Sequence, residues 1–342
     1  MNITGGQAVQ ASVIVERFRK DGFKIDFLPI NPELNGIWGI CQSYKYIRTI
    51  VTSAVYIKSL IKQIPQYDVL HVFSASYFSF FLAPSPAVLI GKYFKKKVIL
   101  NYRSGEAEDH LSRSEAAIKR ILKYVDVVVV PSIYLQKIFS RFGIDAKVIY
   151  NVADEGEFPF KKRAIFKPSF IVSRNLEPIY NVACVLKAFR LIQDKCPDAE
   201  LSVLGYGSQE QFLKFLSQDL KLKNIIFTGR VERDKIADYY EKADIMLNAS
   251  NIDNMPNSIL EAFSSGIPVI STEAGGIPDI IKNGENGLLI PLNDEKTMAE
   301  KAIYLLENQD IAQKIVENAL NDCRRLYSWE ANREKWLELY EM

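Results

Sequence analysis

Short apolar runs alternate with longer amphipathic stretches along the whole chain. The short runs are typical of strands in a parallel sheet that is covered on both faces, and the amphipathic stretches have the period of crossover helices. In the first part of the chain, the pattern predicts strands over 23–28, 68–73, 97–101, 126–130 and 147–150. The helices predicted between them cover 7–20, 44–63, 76–95, 112–124 and 132–142.

The same pattern starts again after a polar connection over 151–167. Predicted strands follow at 169–173, 200–205, 224–228, 244–248 and 268–271, with helices between them, and 295–342 is helical by period. We therefore predict an α/β fold of two Rossmann-like, doubly wound domains, over 1–155 and 156–325, with a C-terminal helix over 326–342 that packs back on the first domain. Doubly wound sheets bind ligands beyond the carboxyl ends of their strands, so we expect the site in a cleft between the domains.

Composition narrows the class of protein. A chain of 342 residues is long enough for two domains, and 48% hydrophobic residues indicate a folded globular protein. The 43 Lys and Arg nearly balance 41 Asp and Glu, which excludes a polycation that coats nucleic acid. Four scattered cysteines without a CxxC pair argue against a disulfide framework or zinc site. Without a signal sequence or spanning helix in the sequence, we expect a cytoplasmic protein.

The charge is unevenly distributed along the chain. Residues 1–150 hold 20 Lys and Arg against 11 Asp and Glu, whereas 151–342 hold 23 against 30. The basic half also contains apolar and aromatic stretches over 41–64 and 76–97, so it is a candidate surface for an anionic acceptor or an anionic membrane. An ordinary charge fluctuation on solvated helices is the alternative.

The densest motif covers 251–291, with the sequence NIDNMPNSILEAFSSGIPVISTEAGGIPDIIKNGENGLLIP. Pro256 suits the first turn of a helix, which places Glu261 inside that helix and Asp253 in the loop before it. The run 275–278, Gly-Gly-Ile-Pro, is predicted to open a further helix whose free N–H groups favour a phosphate or a sugar hydroxyl.

This segment resembles the retaining glycosyltransferases of family 4, which have the GT-B fold. The resemblance extends over nearly the whole chain and is strongest after about residue 147, through VIYNV, FIVSRNLEPIYNV, LSVLGYGSQ, IIFTGRV and NGLLIP. The family has a complete strand before its first glycine-rich loop, whereas only residues 1–4 precede Gly5 here. We therefore expect the first strand of the N-terminal domain to be missing, through a late start, a shortened chain or a degenerate enzyme.

The resemblance implies roles for three residues of the second domain. Glu261 matches the second Glu of the family's motif, which binds the ribose hydroxyls, and Asp253 stands where the family has a Glu near the donor sugar. Arg174 matches an Arg that binds the diphosphate, and its planar fork suits two phosphate oxygens. The family's nearby Lys is replaced by Ile179, so either Arg230 or main-chain N–H groups would complete the phosphate site. The alternative for Asp253 is a helix cap. The alternative for Glu261 and for Arg230 is a surface ion pair.

Further candidate residues also follow from the resemblance. In the first domain, His71 stands where relatives have a His at the rim of the site, and Arg103 stands where they have a His-Gly pair near the donor sugar. The alternative for His71 is a structural imidazole. The alternative for Arg103 is an ion pair with Glu106 or Glu108. The predicted catalytic residues are thus Asp253, Arg174, His71 and Arg103. The predicted donor-binding residues are Glu261, Gly5, Gly6, Gly205, Gly207, Arg230, Asn257, Gly275, Gly276 and Ile277.

The function implied by the resemblance is transfer of a sugar, with retention, from a nucleotide diphosphate sugar to a polysaccharide or lipid-linked glycan acceptor. No cofactor is expected, and no metal, because the DxD pair of metal-dependent relatives of another fold is absent from the sequence. Peripheral contact of the basic domain with the inner face of an anionic membrane is expected, and no nucleic-acid partner. The alternatives are a sugar-nucleotide 2-epimerase of the same architecture and a non-catalytic nucleotide-sugar-binding protein.

Overall fold

The computed structural model describes residues 6–31, 45–74 and 76–341. The chain divides into two compact units, of which the first contains Met1–Ile149 together with Lys335–Met342 and the second contains Tyr150–Glu334. The division lies a few residues before the predicted boundary at 155. The C-terminal segment that belongs to the first unit begins at Lys335, later than the predicted 326.

The first unit is built on a parallel sheet with the strand order β1-β2-β3-β4. Its strands lie where the apolar runs predicted them, because runs such as VILNY and VVVV are buried on both faces. In chain order its elements are α1 (Gly6–Lys20), α2 (Lys45–Gln63), β1 (Val69–Ser74), α3 (Phe78–Leu82), α4 (Pro84–Tyr93), β2 (Lys97–Tyr102), α5 (Ala107–Leu122), β3 (Val127–Val130), α6 (Ile133–Arg141) and β4 (Lys147–Val148).

Three predictions for the first unit are wrong. The segment 23–28 is not a strand, because it forms no ladder with another described segment. The single helix predicted over 76–95 is two helices, which meet at Pro84, a residue that cannot donate the backbone hydrogen bond needed to continue α3. Helix α5 begins at Ala107 rather than at 112. The predicted absence of a first strand concerns residues 1–4, which lie outside the described residues.

The second unit has a parallel sheet of six strands in the order β10-β9-β8-β5-β6-β7. The sequence pattern did not predict its edge strand β10, which is only three residues long. In chain order the elements are β5 (Ser169–Ser173), α7 (Val182–Lys195), β6 (Glu200–Leu204), α8 (Glu210–Asp219), β7 (Ile225–Gly229), α9 (Arg233–Lys242), β8 (Ile245–Asn248), α10 (Asn257–Ser265), β9 (Val269–Thr272), β10 (Leu288–Ile290), α11 (Glu295–Glu307) and α12 (Gln309–Asp322). The last helix, α13 (Trp329–Glu341), begins in the second unit, and its residues from Lys335 onward belong to the first.

The strand order of the second unit fixes where its ligand site is expected. From β5 the chain first adds β6 and β7 on one side and then adds β8, β9 and β10 on the other. The order therefore reverses between β5 and β8, and open α/β sheets bind ligands at such a switch point, beyond the carboxyl ends of the strands. The segments that leave β5 and β8 begin at Arg174 and at Ala249.

Two negative findings concern the described residues only. Among the helices of residues 6–31, 45–74 and 76–341, none is both long and apolar enough to cross a bilayer. Within the same ranges no three His, Cys, Asp or Glu side chains are grouped in a way that could hold a metal ion.

Candidate functional site

Arg174 and Asp253 meet at the switch point of the second sheet. Arg174 follows the last residue of β5, and Asp253 lies in the loop between β8 and α10. The Nη2 atom of Arg174 donates to the Asp253 carboxylate, and Nη1 donates weakly to the Ser258 hydroxyl at 3.4 Å. The guanidinium also lies 4.1 Å from the ring centroid of Tyr180. The two predicted residues are therefore brought together, and Arg174 is held by an aromatic face and a carboxylate.

The Nε atom of Arg174 is a buried donor without a hydrogen-bond partner among the described residues. The Arg174 side chain is only 9% exposed and that of Asp253 12%, so solvent does not readily satisfy this donor. An unsatisfied buried donor costs free energy, more so on a charged group. A bound anion such as a phosphate oxygen would satisfy it, which agrees with the diphosphate role expected for Arg174.

Gly205 and Gly207 shape the backbone beside Arg174. A Cβ atom on Gly205 would lie 1.9 Å from the carbonyl oxygen of Arg174, and one on Gly207 would lie 2.5 Å from that of Leu176. Gly205 also has a φ of +133°, which L side chains rarely adopt. The two glycines therefore let the β6 turn pack against the turn that carries Arg174. Their role in the structure is to position this turn, and the donor contact expected for them remains a prediction.

Glu261 lies on α10 with both carboxylate oxygens already bound. Arg233 donates from Nη1 to Oε1 at 2.7 Å, and the Tyr240 hydroxyl donates to Oε2 at 3.0 Å. The residue is 7% exposed, so the alternative of an ordinary surface ion pair does not describe it. Each carboxylate oxygen has two lone pairs, so Glu261 can still accept hydrogen bonds from two ribose hydroxyls.

Arg233 lies between two carboxylates, because it also donates from Nη2 to Glu157 at 2.7 Å. Its guanidinium is 4.9 Å from the ring centroid of Phe158. Burial lowers the pKa of Arg233, but the charges of Glu261 and Glu157 more than compensate and raise it above its usual range. Burial, together with Glu261, raises the pKa of the Tyr240 hydroxyl. Arg233 and Tyr240 thus fix the orientation of Glu261.

The glycine pair before Ile277 does not open a long helix. A single 3₁₀ turn follows, over Ile277–Asp279. The prediction of free N–H groups is wrong for two residues, because Gly276 donates to the carbonyl of Asp253 at 3.1 Å and Ile277 donates to that of Ala274 at 3.0 Å. The Ile277 side chain is buried in the core. A Cβ on Gly276 would lie 2.3 Å from the carbonyl oxygen of Asn254, so this glycine packs the turn against the loop that carries Asp253.

Two further predicted donor-binding residues have different surroundings. Asn257 is the first residue of α10, and its side-chain oxygen accepts a hydrogen bond from Asn151 at 2.8 Å. Arg230 follows β7 and is exposed, with its guanidinium 5.9 Å from the ring centroid of Tyr206. Arg230 forms no ion pair with any residue that the structure describes, so the surface ion pair considered for it is not present there.

Arg163 shows how a structural arginine differs from Arg174 in the same unit. Its side chain is 2% exposed, and its nitrogens donate to the Asp244 carboxylate and to backbone carbonyls of Lys161, Tyr240, Ala243, Ser265 and Gly266. Its hydrogen-bonding capacity is used within the fold. The Nε atom of Arg174, in contrast, has no hydrogen-bond partner among the described residues.

In the first unit, both ring nitrogens of His71 are bound. Asn101 Nδ2 donates to Nε2 at 3.1 Å, and Nδ1 lies 2.9 Å from the Tyr340 hydroxyl. Because Arg103 donates to Asn101 Oδ1, the Asn101 amide nitrogen faces the imidazole, and the ring proton must be on Nδ1. The ring also packs on Phe73 at 4.8 Å. His71 is therefore a structural imidazole here, in contrast to the catalytic role predicted for it.

Arg103 lies at the end of β2 in a partly buried position. Its Nη1 donates to Asn101 at 3.3 Å, and its guanidinium is 5.6 Å from the ring centroid of Phe73. Burial lowers the pKa of Arg103 to about 9, which still leaves it positively charged at neutral pH. Glu108, one of the ion-pair partners considered, pairs with Arg141 instead. Arg103 remains a candidate for contact with an anionic group.

The first glycine-rich loop is described only in part. Gly5 lies outside the described residues, and Gly6 is the exposed first residue of α1. The Gln7 side chain donates to the carbonyl of Ser74 at 3.0 Å, which places the beginning of α1 beside the carboxyl end of β1. This is the position in which a helix N-terminus meets a ligand in Rossmann-like folds.

Five residues of the site were not predicted from the sequence, namely Glu157, Tyr180, Arg233, Tyr240 and Ser258. Arg233 and Tyr240 lie on the same face of α9, seven residues apart, and this helical spacing is the one signal that could have linked them. Tyr180 ends a short 3₁₀ turn after Arg174, and nothing in its spacing indicates a cation–π contact.

The comparisons with known proteins agree with this geometry. Residues 157–322 match the family described as glycosyl transferases group 1, and residues 4–157 match the one described as glycosyltransferase family 4. Together the two matches cover nearly all of the chain. This protein belongs to glycosyltransferase family 4. The predicted family and fold class are confirmed.

Named relatives of this family 4 protein match it over part of their length. An N-acetyl-α-D-glucosaminyl L-malate synthase of Bacillus anthracis is 28% identical over 51% of this chain and 48% of its own. An α-1,4-N-acetyl-D-galactosaminyltransferase of Campylobacter jejuni, whose name specifies a glycan on PP-undecaprenol, is 26% identical over 59% of this chain and 56% of its own. The chain thus spans about half the length of these two relatives.

Solved structures show the same fold. A sucrose-phosphate synthase from Thermosynechococcus elongatus has a TM-score of 0.76, with 17% identity over 99% of this family 4 chain and 93% of its own. The Anabaena protein HepE in complex with UDP has a TM-score of 0.71, with 17% identity over 84% of this chain and 82% of its own. At this level of identity the likeness concerns the fold alone.

Proposed function

We propose that this protein transfers a sugar from a nucleotide diphosphate sugar to a hydroxyl group of a polysaccharide or lipid-linked glycan, with retention of the anomeric configuration. The observation that carries the proposal is the buried Arg174, whose Nε atom has no partner among the described residues, at the switch point of a Rossmann-like sheet. Asp253 contacts this guanidinium, and Glu261 lies on the helix that follows the Asp253 loop.

The donor would be bound by two charged groups of opposite sign. Arg174 would hold the diphosphate, since a guanidinium matches two phosphate oxygens, and its free Nε would gain a partner. Glu261 would accept from the two ribose hydroxyls with the lone pairs that Arg233 and Tyr240 leave unused. The structures of HepE with UDP and with UDP-glucose support a nucleotide sugar as the class of ligand.

The reaction breaks the bond between the sugar C1 and the diphosphate oxygen and forms a bond between C1 and the acceptor oxygen. The acceptor hydroxyl proton passes to the departing diphosphate, so the products are the glycosylated acceptor and a nucleoside diphosphate. Negative charge develops on the departing oxygen, and a preorganised cation beside it lowers the barrier. Arg174 supplies that charge in this proposal, and Asp253 positions the guanidinium.

The acceptor is proposed to be a glycan, either free or linked to a lipid at the inner face of a membrane. The Campylobacter jejuni relative, named for a glycan on PP-undecaprenol, supports the lipid-linked class. The basic first unit would contact anionic lipid there. Arg103, which is positively charged at the end of β2, is a candidate to contact an anionic group of the acceptor or donor.

The test measures nucleoside diphosphate release from a panel of UDP-, GDP- and ADP-sugars, with and without a lipid-linked or polysaccharide acceptor fraction. We expect one donor to bind and its diphosphate to be released only with acceptor, at the same rate with and without EDTA. Isomerisation of the sugar without acceptor would identify an epimerase, and binding without turnover would identify a binding protein. A donor bound away from Arg174 and Glu261 would overturn the proposed site.

A further inference from the structure

Helix α2 buries one side and exposes an apolar stripe on the other. Tyr56 and Leu60 are buried in the core of the first unit. On the opposite side Ile50, Ile57 and Ile61 are 70%, 36% and 51% exposed. Their positions, with Ala54 between them, repeat at helical spacing and therefore form one continuous stripe. A contiguous exposed apolar stripe marks a candidate interaction surface.

The charged residues of helix α2 are all positive. The helix contains no Asp or Glu, and Lys58 and Lys62 are exposed along one edge of the stripe. Neither of these two cations forms an ion pair with a residue in the described ranges. An exposed apolar stripe bordered by unpaired Lys is typical of a helix that lies in the interface of an anionic bilayer.

The neighbouring helix α4 carries the same combination of residues. It packs against α2, and Lys96 after its end donates to the carbonyl of Pro65 at 3.1 Å, which joins the ends of the two helices. Leu89 and Tyr93, one turn apart on α4, are 43% and 81% exposed, and Lys95 is exposed beside them. An exposed Tyr suits the polar boundary of a bilayer, where its ring is partly immersed.

We propose that the α2 stripe, formed by Ile50, Ile57 and Ile61 with Lys58 and Lys62 along its edge, binds the surface of an anionic lipid bilayer. A second copy of this chain would bring like charges together, which disfavours that occupant. The proposal rests on the proposed function in one respect, because membrane contact is expected there. It assigns residues to that contact. It is tested without any sugar donor.

The experiment uses sedimentation of the purified chain with vesicles of phosphatidylcholine alone or mixed with phosphatidylglycerol. We expect binding to the anionic vesicles only, weakened by added salt. The double variant Lys58→Gln/Lys62→Gln is expected to bind the anionic vesicles about 30-fold more weakly, because each cation near such a surface contributes about 1 kcal/mol. Ile57→Gln/Ile61→Gln is expected to lose binding at all salt concentrations.

The matched control is Phe212→Gln/Phe215→Gln on α8, since these rings are 50% and 69% exposed but belong to the second unit. It should bind vesicles as the unchanged chain does. Circular dichroism of every variant checks the fold, and donor affinity without vesicles checks the sugar site separately. Absence of vesicle binding, equal binding to neutral vesicles, or a dimer by light scattering that Ile57→Gln/Ile61→Gln dissociates would each overturn the proposal.

Discussion

Arg233 donates to Glu261 at 2.7 Å and, with its other nitrogens, to Glu157, so one guanidinium joins two carboxylates in the second unit. Of these two carboxylates, only Glu261 also accepts a hydrogen bond from Tyr240 and belongs to the family motif of α10. Substituting each carboxylate in turn therefore distinguishes an effect on stability from an effect on donor binding. Loss of either carboxylate weakens the ion pair, but only loss of Glu261 removes the expected ribose contact.

Glu261→Gln is therefore expected to weaken donor binding at least tenfold, whereas Glu157→Gln keeps donor affinity within about twofold. Both variants should lose stability, by about 1–3 kcal/mol, because each leaves a partly buried charge less well paired. Calorimetric titration of the nucleotide sugar and urea unfolding measure the two effects. Equal donor affinity in both variants would contradict the role assigned to Glu261.

Arg174 and Asp253 are expected to depend on each other for stability. Arg174→Gln alone leaves the Asp253 carboxylate without its cation and should destabilise the chain by about 3 kcal/mol, as for other buried pairs that lose one member. Arg174→Gln/Asp253→Asn removes both charges and should recover much of that stability, but turnover should remain at least a hundredfold below that of the unchanged chain. A double-mutant cycle by urea unfolding, with turnover measured in parallel, checks this. Recovery of turnover together with stability would show that Arg174 acts only in folding.

Gly205→Ala is expected to disrupt the turn that carries Arg174, since the added Cβ would lie 1.9 Å from the Arg174 carbonyl oxygen. We expect a loss of several kcal/mol in the free energy of unfolding and of most turnover. Gly284→Ala is the control, because Gly284 also has a positive φ, of +78°, but an added Cβ there has no atom within 4 Å. Its cost should be only the backbone strain of about 1–2 kcal/mol. Thermal unfolding that ranks the two variants equally would contradict the packing role of Gly205.

His71 should make stability depend on pH. Burial, with a contribution from the charge of Arg103, lowers the pKa of His71 to about 3, so the folded chain keeps the ring neutral while the unfolded chain protonates it near pH 6.5. The unfolded state therefore binds the extra proton between these two values, and stability falls by up to about 1.4 kcal/mol for each pH unit as pH drops below 6.5.

The measurement is urea unfolding of the unchanged chain and of His71→Asn between pH 7.5 and pH 4.5. His71→Asn should be less stable at pH 7.5 because packing is lost, but its stability should fall less steeply with decreasing pH. His110 and the carboxylates are present in both chains, so the difference in slope reports on His71. Parallel pH curves would contradict a neutral, buried His71.

The sequence predicted most strands to within one or two residues because the burial of both faces leaves a continuous apolar run. Strand β2 and strand β8 are examples, with every residue buried except Lys97. The three residues of β10 are too few for a pattern to distinguish them from a loop. Phe23–Leu28 contains apolar residues at strand spacing, but a strand also needs a ladder partner, which the local pattern cannot supply.

The site was predicted less completely than the fold, because its polar partners are far apart in the sequence. Asp253 and Arg174 were found from the motif, but Arg233 lies 76 residues from Glu157, and His71 lies 269 residues from Tyr340. No periodicity connects such positions. The same limit applies to His71, because its contacts with Trp336 and Tyr340 come from the far end of the chain.

The eight residues from Lys335 to Met342 belong to the first unit although the chain before them belongs to the second. Tyr340 contacts Phe18 and His71, and Trp336 is buried against the same imidazole. The first unit is thus formed by two separate segments of the chain, and a fragment ending at residue 149 would lack part of the core of this unit. Separate production of this half calls for a fusion that restores the terminal helix, or for co-expression with a peptide that carries Trp336 and Tyr340.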